Sequence, residues 1–141
     1  MARQFLCDAS TTVATKAGKL RGYMLDGTYI FQGIKYADAQ RFQAPVPVKP
    51  WDGVKDALSY GYVCPLMNQE VPNGELMVPH RYWPMDENCQ YLNIWTPTLK
   101  EDAKKPVMVW LHGGGFFAGS SIEQVAYDGE NLCKYGDVVR S

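Results

Sequence analysis

Apolar and β-branched residues occur in three short runs near the start of the chain, and polar or turn residues such as Gly18 and Asp26-Gly27 separate them. Short runs bounded by turn residues are typical of strands. The pattern predicts three strands, over residues 11–15, 19–25 and 28–35. Asp26 and Gly27 lie between the last two, and an Asp-Gly pair is a strong signal for a two-residue hairpin turn. We therefore expect an N-terminal β-meander.

The middle of the chain contains no comparable strand-like runs. Residues 41–50 are rich in proline, which fixes φ and donates no hydrogen bond, so they predict an extended surface connection. Residues 64–89 are rich in proline, asparagine and glycine and show neither helical nor alternating spacing. This composition is typical of a compact loop.

Apolar runs return in the last third. Residues 91–97 alternate as a strand does, and the continuous apolar run 107–111 predicts a strand buried on both faces. We expect these two strands to pair antiparallel. A short helix is predicted within residues 124–135, ended by Gly136, and an apolar strand follows at residues 137–139.

Composition and charge narrow the class of protein. The 141 residues, 46% hydrophobic and 21% charged, suffice for one domain with a real core. A net charge of −1 gives no electrostatic argument for nucleic acid or an anionic membrane as partner. No apolar run reaches membrane-span or signal-peptide length, so we expect a cytoplasmic protein, or a secreted one whose leader has been removed. The spacing of the cysteines and histidines predicts neither a metal site nor a cofactor.

Three consecutive glycines, from Gly113 to Gly115, follow the apolar run and His112. Each glycine loses more chain entropy on folding than any other residue, so a triplet calls for a reason. Backbone without side chains lets N–H groups approach a ligand closely, and such groups can hold the negative charge of a transition state as an oxyanion hole does. A glycine-rich turn without chemistry is the plainer alternative.

A nucleotide-binding loop is the third alternative. Gly113, Gly115 and Ala118 satisfy the dinucleotide-binding pattern G-x-G-x-x-A after a strand. The acidic residue expected after the second strand is missing, because Asp137 precedes that strand, and two phenylalanines would crowd a pyrophosphate. No Gly-Lys-Ser/Thr follows, which excludes a P-loop.

Three segments carry a family resemblance. Residues 107–119, V-M-V-W-L-H-G-G-G-F-F-A-G, closely resemble the oxyanion-loop segment of type-B carboxylesterases, the cholinesterase-like branch of the α/β-hydrolases. Residues 87–97 resemble the family signature Glu-Asp-Cys-Leu-Tyr-Leu-Asn, with Asn88 in place of aspartate and Gln90 in place of leucine. Residues 31–37, F-Q-G-I-K-Y-A, resemble a segment near the start of these esterases.

The resemblance implies both fold and chemistry. Residues 1–141 would form one incomplete domain, the N-terminal part of an α/β-hydrolase fold with a β-meander, an Ω-like loop and the first strands of the central mixed sheet. Gly114 and Gly115 would donate their N–H groups to the carbonyl oxygen of a small-molecule carboxylic ester. His112 would support the shape of the loop without acting as the catalytic base.

Aromatic residues near the loop receive roles in the same way. Phe116 and Phe117 would help to form an apolar acyl pocket, with packing in the core as the equal alternative. Trp83 would line the rim of the active-site gorge, although ordinary loop packing is the more common role of such a side chain.

Two residue pairs are also implied by the resemblance. Arg41 and Glu87 match an arginine and a glutamate that form a buried ion pair in the family. Cys64 and Cys89 match the cysteines whose disulfide closes the Ω-like loop, whereas a cytosolic protein would keep them as thiols.

The catalytic triad is not visible in the chain. The fold requires a serine on a G-x-S-x-G elbow, then an acid and a histidine, and no such elbow occurs. The resemblance therefore implies a serine esterase whose nucleophile, acid and base lie outside these residues, so that the isolated chain is inactive. A non-catalytic binding or adhesion protein with the same fold is the alternative.

Because the sequence stops at Ser141, we also expect the strand that starts at Val138 to lack its next partner. An unpaired hydrophobic strand edge promotes association with other chains. The isolated chain is thus predicted to associate through this sheet edge.

Overall fold

The computed structural model describes residues 3–65, 81–116 and 118–141. Its strands, in chain order, are β1 (Phe5–Leu6), β2 (Thr12–Ala14), β3 (Lys19–Arg21), β4 (Tyr23–Leu25), β5 (Thr28–Lys35), β6 (Ala37–Asp38), β7 (Val46–Pro47), β8 (Val54–Asp56), β9 (Tyr91–Thr96), β10 (Val107–Met108) and β11 (Val139–Arg140). One α-helix, α1 (Glu130–Gly136), and short 3₁₀ turns at Ala9–Thr11, Glu101–Ala103 and Val125–Tyr127 accompany them. The predicted strands at residues 11–15 and 28–35 are confirmed as β2 and β5. This is a mixed α/β arrangement, as the resemblance to the α/β-hydrolases implies.

Six strands form the larger sheet, in the order β1-β4-β5-β9-β11-β10. β5 and β9 pair antiparallel over most of their length, with a register shift between Phe31 and Ile34. β11 is antiparallel to β9 and parallel to β10, so the sheet is mixed. A smaller sheet has the order β2-β3-β8, and β6 pairs with β7.

Strand β5 carries core residues on both of its faces. Ile30 and Phe31 are 2% and 3% exposed, and successive side chains of a strand point to opposite faces. Ile30 packs with Trp95 of β9 and Cys133 of α1, whereas Phe31 packs with Leu20 of the smaller sheet. Strand β5 is therefore covered on both of its faces.

The predicted strand at residues 19–25 is divided at Gly22, where the chain passes from the smaller sheet to the larger one. The Gly22 N–H donates to the carbonyl of Thr11 at 3.0 Å. A Cβ at this position would collide with the carbonyl oxygen of Ile30 and the ring of Phe31. Only glycine lets the backbone approach β5 this closely.

The prediction that residues 107–111 form a strand buried on both faces is wrong. Only the first two belong to β10, and exposure along the run reaches 67% at Val107 and 84% at Leu111. The cause is position in the sheet, because β10 is its outer strand and β11 is its one partner among the described residues. An apolar run indicates what a strand is suited to bury, but its neighbours decide what is covered.

Two predicted strand pairings are wrong for a related reason. β9 and β10 do not pair with each other, because β11 lies between them. The strand near Val138 does not lack a partner, since β11 is bonded to β9 on one side and to β10 on the other. Within the described part of the chain, the open apolar edge belongs to β10.

The short helix predicted within residues 124–135 is confirmed, with a later start. α1 begins after Gly129 and is followed by Asp137 in the left-handed region, with φ of 52°. Gly129 must be small, because a Cβ there would lie 2.7 Å from the ring of Trp95. No helix in the described ranges is long and apolar enough to cross a membrane.

Candidate active site

The glycine triplet forms a tight loop of left-handed backbone. Gly114, Gly115 and Phe116 have φ values of 123°, 62° and 67°. The loop closes where the Ala118 N–H donates to the Gly114 carbonyl at 3.0 Å. A Cβ at position 114 would collide with the carbonyl oxygen of Ala118, so both the torsion and the contact require glycine.

The N–H groups of Gly114 and Gly115 are unused. Within residues 3–65, 81–116 and 118–141, neither group has a hydrogen-bond acceptor. Both residues are exposed, so their N–H groups are open to solvent or to a ligand. Two adjacent free donors on a tight turn suit an anion-binding site.

Contacts on both sides hold the loop. His112 Nδ1 carries a hydrogen, which it donates to the Gly113 carbonyl oxygen at 2.7 Å. On the other side, the Ser120 N–H donates to Glu123 Oε2 at 3.3 Å, and Ser120 is 8% exposed. A Cβ at Gly119 would lie 2.7 Å from the Gly113 carbonyl oxygen, so the two arms of the loop nearly touch. His112 thus braces the loop, and nothing places it beside a nucleophile.

A cavity of about 880 Å³ borders this loop. Gly113, Gly115 and Phe116 line one part of it. The remaining lining is markedly aromatic and includes Tyr36, Tyr60, Tyr62, Tyr91, Trp110 and Tyr127. A cavity of this size and lining suits a small molecule with apolar or aromatic groups.

The structure separates the three aromatic side chains that were predicted to bind substrate. Phe116 borders the cavity with a fully exposed ring. Trp83 does not border it: its indole N–H donates to the Tyr60 carbonyl at 3.2 Å, and its ring meets that of Tyr60 edge-on at 5.6 Å. Phe117 lies outside the described residues, as do residues 66–80 of the predicted Ω-like loop. The substrate-binding roles remain predictions.

Arg41 and Glu87 form an ion pair through Nη2 and Oε1. The expectation that this pair is buried is wrong, because the two side chains are 66% and 50% exposed. The hydrogen bond from Arg41 lowers the pKa of Glu87. An ion pair in water contributes little net stability, so it fixes the position of the chain at Glu87 more than it stabilises the fold.

Cys64 and Cys89 are both free thiols that lie side by side. Burial, and then the neighbouring Cys64, raises the pKa of Cys89 to about 11. A thiol with so high a pKa is a poor nucleophile near neutral pH, because little thiolate is present. Cys89 is therefore a poor nucleophile in its reduced state, and its disulfide with Cys64 remains a prediction.

A polar cluster beside the cavity was not predicted from the sequence. Arg81 holds Asp128 with two hydrogen bonds, of 2.8 and 2.7 Å, and the Tyr60 hydroxyl donates to Asp128 Oδ1 at 3.3 Å. The three residues come from separate parts of the chain. The one sequence signal nearby is Asp128-Gly129, which indicates a turn but not a partner.

Charges in this cluster are well matched. Hydrogen bonding to Asp128 raises the pKa of Arg81, so the guanidinium stays charged. Burial, followed by the charge of Asp128, raises the pKa of Tyr60 to about 12, which keeps its hydroxyl protonated as a donor. The cluster is consequently fixed over the whole physiological pH range. No group of residues suited to hold a metal ion occurs in the described part of the chain.

Comparison with known proteins agrees with these observations. The model of the carboxylesterase family matches residues 9–140. Among solved structures, an esterase from anaerobic Clostridium hathewayi that can hydrolyse aliphatic aromatic polyesters is 63% identical, with a TM-score of 0.92 over 99% of this chain and 28% of that protein.

Curated relatives point the same way. The para-nitrobenzyl esterase of Bacillus subtilis is 36% identical over 90% of this chain, and the phenmedipham hydrolase of Pseudarthrobacter oxydans is 38% identical over 89%. The chain spans 26% of the length of each of these two relatives. Neither the nucleotide-binding alternative nor the adhesion alternative is favoured by these matches. With a matching family model along nearly its full length and a shared fold, the chain belongs to the carboxylesterase family, in its type-B branch.

Proposed function

We propose that the protein containing this chain hydrolyses carboxylic esters, and that this chain supplies the oxyanion hole. The observation that carries the proposal is the pair of free N–H groups at Gly114 and Gly115, held in left-handed backbone beside an aromatic cavity. The matching family supports the reaction class.

The chemistry follows from where charge develops. Attack of a nucleophile on an ester carbonyl turns the carbonyl oxygen into an oxyanion, and donors already aimed at that position stabilise it without reorganisation. Each such donor is worth about a hundredfold to a thousandfold in rate. The Gly114 and Gly115 N–H groups have no competing acceptor in the described residues, so they are available for this bond.

The nucleophile is proposed to lie outside residues 1–141. Ser120 and Ser121 border the cavity, but the Ser120 N–H is bonded to Glu123, and no histidine of the described residues is placed to activate either hydroxyl. A serine needs an adjacent general base to become nucleophilic near neutral pH. His112, the one histidine in the described ranges, is engaged with the Gly113 carbonyl.

The proposed substrates are small esters with an aromatic group. Tyrosine and tryptophan rings line much of the cavity, and among the described residues Arg140 is the one arginine, lysine or carboxylate side chain in its lining. Two similar proteins, a para-nitrobenzyl esterase and an esterase that can hydrolyse aliphatic aromatic polyesters, support this class.

Ester hydrolysis combined with active-site labelling tests the proposal. The protein containing this chain should hydrolyse p-nitrophenyl benzoate at least as well as p-nitrophenyl acetate and should be labelled by a fluorophosphonate on a serine outside residues 1–141. The isolated chain should show neither turnover nor label. A label on Ser120 or Ser121 would contradict the assignment of the nucleophile, and a protein with neither activity nor label would favour the non-catalytic alternative.

Association of the isolated chain through β10 is a second, narrower proposal. Val107, Val109 and Leu111 are 67%, 63% and 84% exposed along an edge with no partner in the described residues. Open apolar edges recruit further strands. Light scattering should show a mass that rises with concentration and falls on Val109→Lys. A monomer at every concentration would refute it.

A further inference from the structure

We propose that Arg81 and Asp128 form a positioning clamp that holds the oxyanion loop in its working shape, with Tyr60 as a supporting member. The inference rests on the proposed esterase function, because it assigns to the clamp a role in placing the N–H donors. The three residues are called the Arg81 clamp below.

Arg81 of the clamp is hydrogen-bonded to both ends of one short segment, residues 123–128. The Arg81 backbone N–H donates to the Glu123 carbonyl at 2.7 Å. Its guanidinium holds Asp128, five residues further on, through two parallel hydrogen bonds. Bidentate pairing fixes orientation as well as distance, which a single contact does not. Residues 123–128 are thus fixed as a unit.

That segment contacts the oxyanion loop from two directions. At its start, Glu123 accepts from the Ser120 N–H at 3.3 Å, where the loop ends. At its end, the ring of Tyr127 lies 5.3 Å from the ring of Trp110, two residues before His112. A shift of residues 123–128 would therefore reach both arms of the loop.

Burial makes the clamp more than a surface ion pair. The side chains of Arg81 and Asp128 are 32% and 31% exposed, and half-buried Tyr60 closes the cluster from the cavity side. Removal of one partner would leave the other partly desolvated without compensation. A group that acts by position alone should affect the transition state more than substrate binding, since misplacement by about 1 Å can cost a hundredfold in rate.

The chain offers a matched control. Arg21 and Asp56 also form a bidentate pair, at 2.7 and 3.0 Å, but they join β3 to β8 in the smaller sheet and do not border the cavity. Arg21→Met removes the same chemistry at a distance from the oxyanion loop. Loss of stability alone would affect both variants in the same way.

The experiment compares Arg81→Met, Asp128→Asn, the double variant and Arg21→Met in the protein containing this chain. We expect Arg81→Met and Asp128→Asn each to lower kcat for p-nitrophenyl esters by about ten- to a hundredfold, with KM changed less than about threefold. The double variant should be no worse than the poorer single variant, because the two residues act as one unit. Arg21→Met should keep its kcat.

A transition-state analogue sharpens the comparison. A trifluoromethyl ketone adds to the nucleophile and presents an oxyanion, so the Arg81 variants should weaken its inhibition by about the factor lost in kcat. Arg81→Lys keeps the positive charge but cannot form two parallel hydrogen bonds, so it should recover part of the lost kcat. An unchanged kcat in Arg81→Met, or an equal loss in Arg21→Met, would overturn the clamp.

Two further readouts keep the outcome decisive. If Arg81→Met does not fold, Tyr60→Phe replaces it as the test, because it removes only one hydroxyl from the clamp. Tyr60→Phe should lower kcat and retain KM. An unchanged kcat in Tyr60→Phe would count against the clamp. If the wild-type protein hydrolyses no ester, the proposed function fails by itself. Amide hydrogen exchange then tests the clamp without any activity, because Arg81→Met should accelerate exchange at residues 118–123 and Arg21→Met should not.

Discussion

Asn88 donates a side-chain hydrogen to the carboxylate of Asp38, with 3.2 Å between Nδ2 and Oδ1. The same side chain accepts the Ala39 N–H through Oδ1, also at 3.2 Å. Position 88 is one of the two departures from the family signature, which has aspartate there. The neighbouring Asp38 explains the amide physically, because an amide can both donate to Asp38 and accept from Ala39, whereas an ionised aspartate can only accept.

Asn88→Asp should therefore destabilise the protein near neutral pH. Aspartate at position 88 would still accept the Ala39 N–H, but it would place a second negative charge next to Asp38. In the wild type, hydrogen bonds from Lys35 and Asn88 lower the pKa of Asp38. Repulsion raises the pKa of both carboxyl groups in the folded state, so the penalty is present at pH 7 and disappears as the pH falls below about 4.

Urea unfolding at pH 7 and pH 4 measures this effect, with Asn131→Asp as the control. Asn131 is an exposed residue of α1 whose side chain makes no hydrogen bond to a carboxylate of the described residues, so the same chemical change breaks no such bond there. A midpoint for Asn88→Asp that does not depend on pH relative to the wild type would refute the explanation.

Gly114→Ala should abolish most of the ester hydrolysis. The new Cβ would collide with the Ala118 carbonyl and would occupy a torsion of φ 123°, so the loop must open and the donors must move. We expect kcat/KM to fall by about a hundredfold or more, the value of one lost oxyanion donor.

Gly136→Ala is the control for this substitution. The nearest atom to a Cβ at position 136 is 3.6 Å away, and alanine suits the helix better than glycine. Steady-state kinetics should give the wild-type kcat/KM for Gly136→Ala, and thermal unfolding should show no loss of stability. Full activity in Gly114→Ala would exclude the loop from the oxyanion hole.

Phe116→Gly should change substrate choice without loss of stability. Phe116 adopts φ of 67°, a region that costs most residues about 1–2 kcal/mol and glycine almost nothing, and its ring is fully exposed. If the ring contacts the acyl group, KM should rise by about tenfold for benzoate esters and little for acetate esters, in proportion to the apolar area lost. Equal effects on both esters would remove Phe116 from the acyl pocket.

Cys89 should react slowly with alkylating agents in the reduced protein. Its pKa is raised to about 11, so only the small thiolate fraction reacts at pH 8, and the rate should rise about tenfold per pH unit up to pH 10. Mass spectrometry of iodoacetamide-treated protein resolves Cys89 from the other cysteines. Cys64→Ser, which removes the neighbouring thiol, should shift the profile to lower pH, whereas a profile that levels off near pH 8.5 would contradict the assignment.

Local sequence determined those features that depend on neighbouring residues alone. The run at residues 28–35 after the Asp26-Gly27 turn predicted β5, and Gly136 as a stop signal predicted the short helix α1 before it. The glycine triplet likewise determined the tight loop at residues 113–118, because the torsion of Gly114 and the close approach of Ala118 admit no side chain at position 114.

Only the tertiary structure decided which of these elements meet. β11 is inserted between β9 and β10, so the apolar run at residues 107–111 lies at an exposed edge, and no local pattern encodes that order. Arg81 and Asp128 are 47 residues apart and Asn88 and Asp38 are 50 apart, yet each pair is in hydrogen-bond contact. Local torsional preferences are fixed by adjacent atoms, whereas contacts between distant residues depend on how the whole sheet assembles.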